Sequence, residues 1–145
     1  MRSRKNRMYI QFPAIPENER MARMVAAAFI TNMNPTIEEM DDVKTAISEA
    51  VTNCIIHAYE KEQGHRSLVE MILEQKEQEF IVTIMDSGKG IENVALALEP
   101  LYTTKSEEER SGMGFSFMEA FMNELHVESE PGKGTKVTMK KQIGK

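Results

Sequence analysis

Phe80-Ile81-Val82-Thr83-Ile84-Met85-Asp86-Ser87-Gly88-Lys89-Gly90 passes from an apolar run into an acidic residue and a glycine turn. Apolar and β-branched residues in succession are typical of a buried strand. Asp86, at the end of that strand, can accept a hydrogen bond from an exocyclic amine such as that of adenine. Gly88 and Gly90 leave space for a flat ring to lie against the backbone. The stretch therefore predicts a strand that ends at a ligand site.

The patterns on either side of this strand place it in a sheet of hairpins. Leu68–Leu73 precedes it as a hairpin partner, and Leu125–Ser129 and Thr135–Lys141 form a second hairpin. The other predicted elements are a strand at Met8–Phe12, a helix opening at Pro16, a helix from about Thr36 to Tyr59, an irregular segment from Ser87 to Ser111 and a helix at Gly114–Asn123. This order predicts an α+β two-layer sandwich, with helices on one face of a mostly antiparallel sheet, in a single domain spanning residues 1–145.

For the first two helices the sequence also predicts where they meet and which residues face the core. Asn34-Pro35 is expected to end the first helix and cap the second, with Asn34 at the N-cap and Pro35 in the first turn. Helical spacing predicts the apolar residues that face the core. For the first helix these are Met21, Met24, Val25, Ala28, Phe29 and Met33, and for the second they are Ile37, Met40, Val43, Ile47, Val51, Cys54 and Ile55.

Six of the eight glycines fall in three Gly-x-Gly pairs, at 88–90, 112–114 and 132–134. The second pair ends the irregular segment and opens a helix, where free N–H groups favour an anionic phosphate. Lys105 and Arg110 could supply charge to a terminal phosphate. Of the third pair, Gly132 is expected to be a turn residue and Gly134 to reach the site. Neither a P-loop nor a dinucleotide-binding fingerprint is present. The long segment between the first two pairs is predicted to be a lid.

A polar stripe follows the second predicted helix, because Thr45, Glu49, Asn53 and His57 are each four residues apart. One interpretation is a solvated helix face. The other is a cation site, in which an oxygen of Asn53 binds Mg²⁺ and Glu49 orients or deprotonates a nucleophile. The low charge of the surrounding residues 48–53 is unusual for an exposed helix and fits a cation site, but these residues taken alone leave both interpretations open.

Composition limits the class of protein. The chain has 145 residues, a formal net charge of −5 and 41% hydrophobic residues, which is ordinary for a globular domain and argues against general nucleic-acid binding. No apolar stretch approaches a membrane span. The single cysteine excludes an internal disulfide and fits the reducing cytoplasm. The basic start at Arg2–Arg7 is expected to be a frayed terminus. Among the twelve methionines, Met21, Met24, Met33 and Met40 are expected to fill core or interface gaps.

Four motifs in chain order resemble the conserved boxes of the GHKL ATPases, a superfamily that includes gyrase B, Hsp90, MutL and the histidine kinases. They are Glu49-x-x-x-Asn53, Asp86-x-Gly88-x-Gly90, Gly112-x-Gly114 and Gly134-Thr135. Within that superfamily, three longer stretches are similar to the bacterial anti-sigma factor serine kinases, especially the sporulation members. These stretches are 48–59, 100–105 and 109–115, and the likeness covers roughly residues 8–142.

The resemblance implies a homodimer that binds ATP or ADP with Mg²⁺, sequesters a sporulation sigma factor and phosphorylates a serine of an anti-anti-sigma protein. It implies Glu49 as the catalytic base, Asn53 as the Mg²⁺ ligand and Asp86 as the acceptor of the adenine amine. Arg110 is expected at the γ-phosphate, and Arg23 at a partner-binding surface. The remaining nucleotide-binding residues that it implies are Gly88, Gly90, Thr104, Lys105, Gly112, Met113, Gly114 and Thr135.

Two alternatives remain open at this stage. One is an ATP-gated sigma-binding module without useful catalysis, which the presence of Glu49 disfavours. The other is a kinase of the same family that regulates a stress-response sigma factor. The chain departs from the family pattern at Cys54, where a small apolar residue is usual, at Ala58, where glycine is common, and at Lys89, which is more often apolar. The dimer face is not determined, although the first strand and the first helix are candidates.

Overall fold

The computed structural model describes residues 4–58, 67–88 and 114–144, with the backbone alone at 57 and 58. Within these ranges the elements are β1 (Lys5–Pro13), α1 (Glu17–Thr31), α2 (Ile37–Asn53), a π-helical turn (Cys54–Ala58), β2 (Leu68–Lys76), β3 (Glu79–Asp86), α3 (Gly114–Phe121), β4 (Glu124–Glu130) and β5 (Gly134–Gln142). Their order confirms the predicted α+β class. The predicted lid lies almost entirely outside the described residues.

The strands described here form one antiparallel sheet in the order β1-β2-β3-β5-β4. The predicted hairpins, β2–β3 and β4–β5, are both present, and β3 and β5 pair at the middle of the sheet. In this register Asp86 lies opposite Val69 on one side and Thr135 on the other. The last residue of β3 is therefore flanked by a strand on each side, which limits its freedom to move.

One face of the sheet and the helices share a continuous hydrophobic core. Along β2 the side chains alternate, so Val69, Met71 and Leu73 are buried while their neighbours are partly exposed. This two-residue period is the signature of a strand with a single core face. On the helical side, Phe29 packs against Phe80 with ring centroids 5.8 Å apart. Such a core holds α2 and α3 at defined positions above the sheet.

The expectation of a frayed basic start is wrong for residues 5–7, which belong to β1. Lys5 lies opposite Lys76, and Arg7 lies opposite Glu74, with the Arg7 Nε atom 3.6 Å from a Glu74 carboxylate oxygen. The sequence pattern missed this extension because none of these residues is apolar. Main-chain pairing with β2, which needs no particular side chain, carries the strand to its first residue.

The junction between α1 and α2 also differs from expectation. Thr36, and not Asn34, is the N-cap of α2, and its hydroxyl accepts a hydrogen bond from the Glu39 N–H at 3.0 Å. Glu39 completes a capping box, because its carboxylate accepts a bond from the Thr36 N–H. Asn34 instead adopts a left-handed conformation with φ of 62°. Ile37, expected in the core, is 83% exposed because it lies in the first turn of α2, before the helix reaches the sheet.

The methionines of α1 divide between core and surface. Met33 is buried as expected, whereas Met21 and Met24 are 60% and 58% exposed and do not fill the core. Their places on the buried side are taken by Ala22 and Ala26. Small residues there bring α1 close to its neighbours.

Three polar contacts fasten the C-terminal strand and the residues after it to the helices. The Glu39 carboxylate that caps α2 also accepts a hydrogen bond from the Gly144 N–H at 2.9 Å. The Lys141 ammonium donates to the Phe121 carbonyl at 2.6 Å, at the C-terminal end of α3, and lies 3.4 Å from Asp42 of α2. A cation at a helix C-terminus satisfies an unpaired carbonyl and opposes the helix dipole.

Candidate functional site

Helix α2 presents Glu49 and Asn53 on one side, one turn apart. Both are half-buried, while Ala46, Ala50 and Val51 are buried in the core. The apolar side of α2 is therefore anchored, and the acidic and amide side chains project along its partly exposed side. The described helix retains Thr45 on the same stripe, and the side chain of His57 lies outside the described part.

The first residue of α3 lies directly against this pair. A Cβ atom placed on Gly114 would be 3.2 Å from both terminal atoms of the Asn53 amide and 3.5 Å from the Glu49 Oε1 atom. A residue larger than glycine would press on the Asn53 amide and contact Glu49, so the close approach explains the glycine. The positive end of α3 therefore meets a carboxylate and a carboxamide. Gly112 and Met113, predicted with Gly114 to cradle phosphates, lie outside the described residues.

Asp86 ends β3 with its carboxylate held by three donors. The Gly88 N–H donates to Oδ1 at 2.9 Å, and the Cys54 S–H donates to Oδ2 at 3.4 Å. The backbone N–H of Thr135 also bonds to this carboxylate. Burial raises the pKa of Asp86 above its ordinary value, and the hydrogen bonds oppose that rise only in part. Asp86 is thus an oriented, partly desolvated acceptor.

Gly134 fixes the position of Asp86 from the neighbouring strand. Its φ is +95°, and an added Cβ would lie 2.1 Å from the Asp86 carbonyl oxygen and 2.8 Å from the Cα of Ser87. By contrast, Gly132 has φ of +80° and no atom within 4 Å of the place that a Cβ would occupy. The prediction that Gly132 is a turn residue is confirmed, and Gly134 lies against the main chain of Asp86.

Ser129 supports Thr135 from the edge strand β4. Its Oγ atom donates to the Gly134 carbonyl at 2.8 Å and lies 2.8 Å from the Thr135 hydroxyl. Neither Ser129 nor the contact of Cys54 with Asp86 was predicted from the sequence. Ser129 could have been found from its position opposite Thr135 in the predicted hairpin. Cys54 could have been found because the sequence analysis had noted it as a departure from the family pattern.

The helix that carries Glu49 and Asn53 changes form immediately after them. Residues Cys54–Ala58 form a π-helical turn, where a continuous α-helix to about Tyr59 was expected. The Cys54 N–H, at the start of this turn, bonds to both the Ala50 and the Val51 carbonyls. π-Helical turns are uncommon and are frequent at functional sites. This one places Cys54 beneath the end of β3.

Of the remaining predicted residues, Arg23 lies in the described part of the chain, and an ion pair joins it to another residue of α1. Arg23 lies on α1, half-exposed, with its Nε atom 3.0 Å from the Glu19 carboxylate one turn earlier. The other residues, Gly90, Thr104, Lys105 and Arg110, lie outside the described residues. In the described part of the chain no three His, Cys, Asp or Glu residues gather as a metal cluster. Nor does any described helix have the length and apolar character needed to cross a membrane.

The family profile of the histidine kinase-like ATPase domain matches residues 12–141. The anti-sigma F factor of Caldanaerobacter subterraneus subsp. tengcongensis is 54% identical over 140 residues, covering 97% of this chain and 96% of the relative. That of Clostridium acetobutylicum is 51% identical over 139 residues, covering 96% and 95%. The chain belongs to the anti-sigma F factor family of histidine kinase-like ATPases. The resemblance inferred from the four motifs is therefore confirmed.

Solved structures agree on the fold. The RsbU and RsbW domains of Rv1364c from Mycobacterium tuberculosis superpose with a TM-score of 0.70 at 16% identity, over 97% of this chain and 33% of that one. The catalytic domain of the histidine kinase ThkA gives a TM-score of 0.58 at 16% identity, over 94% and 96%. At these identities the likeness concerns the fold alone. The GHKL architecture expected from the sequence is thereby confirmed.

Proposed function

We propose that this protein is a cytoplasmic, homodimeric anti-sigma factor that binds a sporulation sigma factor and uses Mg-ATP to phosphorylate a serine of an anti-anti-sigma protein. The observation that carries the proposal is the contact of Gly114 with Asn53 and Glu49. It brings a helix N-terminus, a candidate metal ligand and a candidate base to one place. The name of the relatives, anti-sigma F factor, supports the sigma-binding half of the proposal.

In this proposal the adenine binds at the end of β3. The Asp86 carboxylate accepts a hydrogen bond from the exocyclic amine, in a position set by Gly88, Cys54 and Thr135. A carboxylate offers about four lone-pair positions, of which the three protein donors use three. The amine takes a remaining one. Guanine presents a carbonyl oxygen at the equivalent place, which a carboxylate repels, so the acceptor favours adenine. Gly90 and the Thr135 side chain border the same pocket.

The phosphates lie toward the N-terminus of α3, beside Gly114 and the Asn53 amide. The half-buried Asn53 and the close approach of the Gly114 main chain fit a nucleotide phosphate with its cation. Asn53 would supply an oxygen ligand to Mg²⁺, a cation that prefers oxygen ligands. A Mg²⁺ ion held there would supply neutralisation of phosphate charge for the transfer. Main-chain N–H groups from Gly112 to Gly114 add to this stabilisation.

Glu49 accepts the proton of the substrate serine in the transfer step. As the serine oxygen forms its bond to the γ-phosphorus, the bond from that phosphorus to the bridging oxygen breaks and ADP leaves. Glu49 lies within one helical turn of Asn53 and beside Gly114, and this proximity supports its assignment as the base. In this scheme Arg110 and Lys105 of the lid contact the terminal phosphate, Thr104 contributes a further nucleotide contact, and Arg23 contributes to a partner surface on α1.

The test is a transfer assay with a matched variant. The purified protein is incubated with Mg-ATP and an anti-anti-sigma protein, and phosphoserine is measured by mass spectrometry. We expect stoichiometric phosphorylation. In Glu49→Gln, which removes the base and keeps the side-chain size, transfer should fall by about 10²-fold or more while ADP affinity stays within about twofold. A folded wild-type protein that binds ATP and transfers no phosphate would refute the kinase proposal.

A further inference from the structure

A buried thiol contacts the predicted adenine acceptor. Cys54 is 5% exposed, and its Sγ atom lies 3.4 Å from the Asp86 Oδ2 atom. The two residues come from different layers, since Cys54 begins the π-helical turn after α2 and Asp86 ends β3. The contact is therefore a direct polar link between the helix that carries Glu49 and Asn53 and the central strand of the sheet.

The thiol is the donor of this hydrogen bond. Burial, and then the charge and hydrogen bonding of Asp86, raise the pKa of Cys54 well above its ordinary value. The donor direction rests on the contact itself, since the S–H group is the donor and the Asp86 Oδ2 atom, 3.4 Å from Sγ, is the acceptor. A protonated, buried thiol is also a poor nucleophile, so the chemistry of Cys54 lies in donation and not in reactivity.

The three donors to the Asp86 carboxylate come from different parts of the fold. Gly88 bonds to Oδ1, through a main-chain turn that follows β3, and Thr135 bonds from β5. Cys54 is the described donor that reaches Asp86 from the helical layer, and it bonds to Oδ2. Held on both oxygens, the carboxylate plane has little freedom to rotate about its terminal torsion, which is broad in an unrestrained aspartate.

We infer that Cys54 is a positioning residue that holds the Asp86 carboxylate in the plane in which it accepts the adenine amine. The inference rests on the nucleotide site of the proposed function and adds a residue to it.

The test compares two ligands that differ only in the amine. ADP and purine riboside 5′-diphosphate, which lacks the amine, are titrated calorimetrically into the wild-type protein and Cys54→Ala. A thiol is a weak donor, so we expect ADP to bind about three- to tenfold more weakly to the variant. The amine-free ligand makes no bond to Asp86, so its affinity should change by less than about twofold. An equal loss for both ligands would show a general packing defect and overturn the inference.

Two further variants separate orientation from packing. Cys54→Ser keeps a donor at the same atom and should restore ADP binding to within about twofold of wild type. Ile55→Val removes one methylene from the neighbouring buried residue and should leave the ratio of the two affinities unchanged. If Cys54→Ser behaves like Cys54→Ala, the donor role is refuted. If the wild-type protein binds neither ligand, the proposed function itself fails, which is a distinct result.

A measurement without nucleotide tests the same contact. Because the chain has one cysteine, its S–H stretching band in the infrared spectrum belongs to Cys54 alone. Donation to a carboxylate lowers the frequency of that band. Asp86→Asn replaces the carboxylate by a weaker, neutral acceptor, so we expect the band to move to higher frequency. An unchanged band in a folded Asp86→Asn protein would show that the thiol does not donate to Asp86.

Discussion

Replacing Gly134 by alanine should disrupt both the stability of the fold and the position of Asp86. At φ of +95° any side chain is strained, which costs about 1–2 kcal/mol. The new Cβ would also lie 2.1 Å from the Asp86 carbonyl oxygen, roughly 1 Å closer than an ordinary carbon–oxygen contact. Relieving such an overlap in a packed sheet costs about 1–3 kcal/mol more. The total, about 2–5 kcal/mol, is a large share of a typical domain's stability of about 5–15 kcal/mol.

Gly132→Ala is the matched control, because Gly132 has a similar φ of +80° and no atom within 4 Å of its Cβ position. The free energy of unfolding of Gly132→Ala should fall only by the cost of the strained backbone, about 1–2 kcal/mol. Urea denaturation gives both free energies of unfolding, and ADP titration reports the site. We expect ADP affinity to fall by about tenfold or more in Gly134→Ala, the loss of about one hydrogen bond, and to be unchanged in Gly132→Ala. Equal destabilisation of the two variants would refute the close-approach argument, and wild-type ADP affinity in Gly134→Ala would refute its link to Asp86.

Two more predictions concern the contacts that hold the C-terminal strand. Partial burial raises the pKa of Glu39, but hydrogen bonds from Thr36 and Gly144 outweigh it and the net shift is downward. A depressed folded-state pKa stabilises the protein above the unfolded value and loses that contribution as pH falls through the folded value. In urea denaturation, Glu39→Gln should therefore be less stable than wild type at pH 7, with a difference that shrinks below about pH 4.5; a difference independent of pH would contradict this. Lys141→Met removes a half-buried donor from the end of α3 and should cost about 1–2 kcal/mol, whereas Lys133→Met, which breaks an exposed pair, should cost less than about 0.5 kcal/mol by the same assay.

Hydrophobic pattern and turn residues were sufficient to predict the order of elements and the hairpin pairing. The core strand at 80–85 is an example, because a short apolar run rich in β-branched residues is typical of a buried strand. The predicted element boundaries were wrong where main-chain pairing or helix capping determines where an element begins. Lys5–Arg7 has no strand pattern but pairs with β2, and Thr36 competes with Asn34 for a single N-cap. Both outcomes depend on partners distant in sequence or on backbone geometry, which periodicity does not encode.

The site itself was predictable as a set of residues but not as a set of contacts. Glu49 and Asn53 share a stripe because helical spacing requires it, so their proximity followed from the sequence. Their approach to Gly114 and the thiol bond from Cys54 to Asp86 did not, because each joins segments separated by more than thirty residues. Such contacts are set by how α2, α3 and β3 pack. The family resemblance suggested a role for each site residue, and the structure showed which residues the described ones contact.

Two glycines in the site are required for different reasons, and the difference indicates how the site is built. Gly114 is needed for space alone, since a Cβ atom at this position would face the Asn53 amide and Glu49, which are candidate site residues. Gly134 is needed for both space and backbone conformation, since it lies against the main chain of β3. A substitution at Gly114 therefore presses on side chains that can shift by a few tenths of an ångström, whereas one at Gly134 must move a strand. In the proposed function, the phosphate end of the site would thus be held by adjustable side chains on a helix, and the adenine end by the centre of the sheet. Such a division would suit the proposed kinase, whose base-binding pocket would stay constant while its phosphate end accommodates both ATP and ADP.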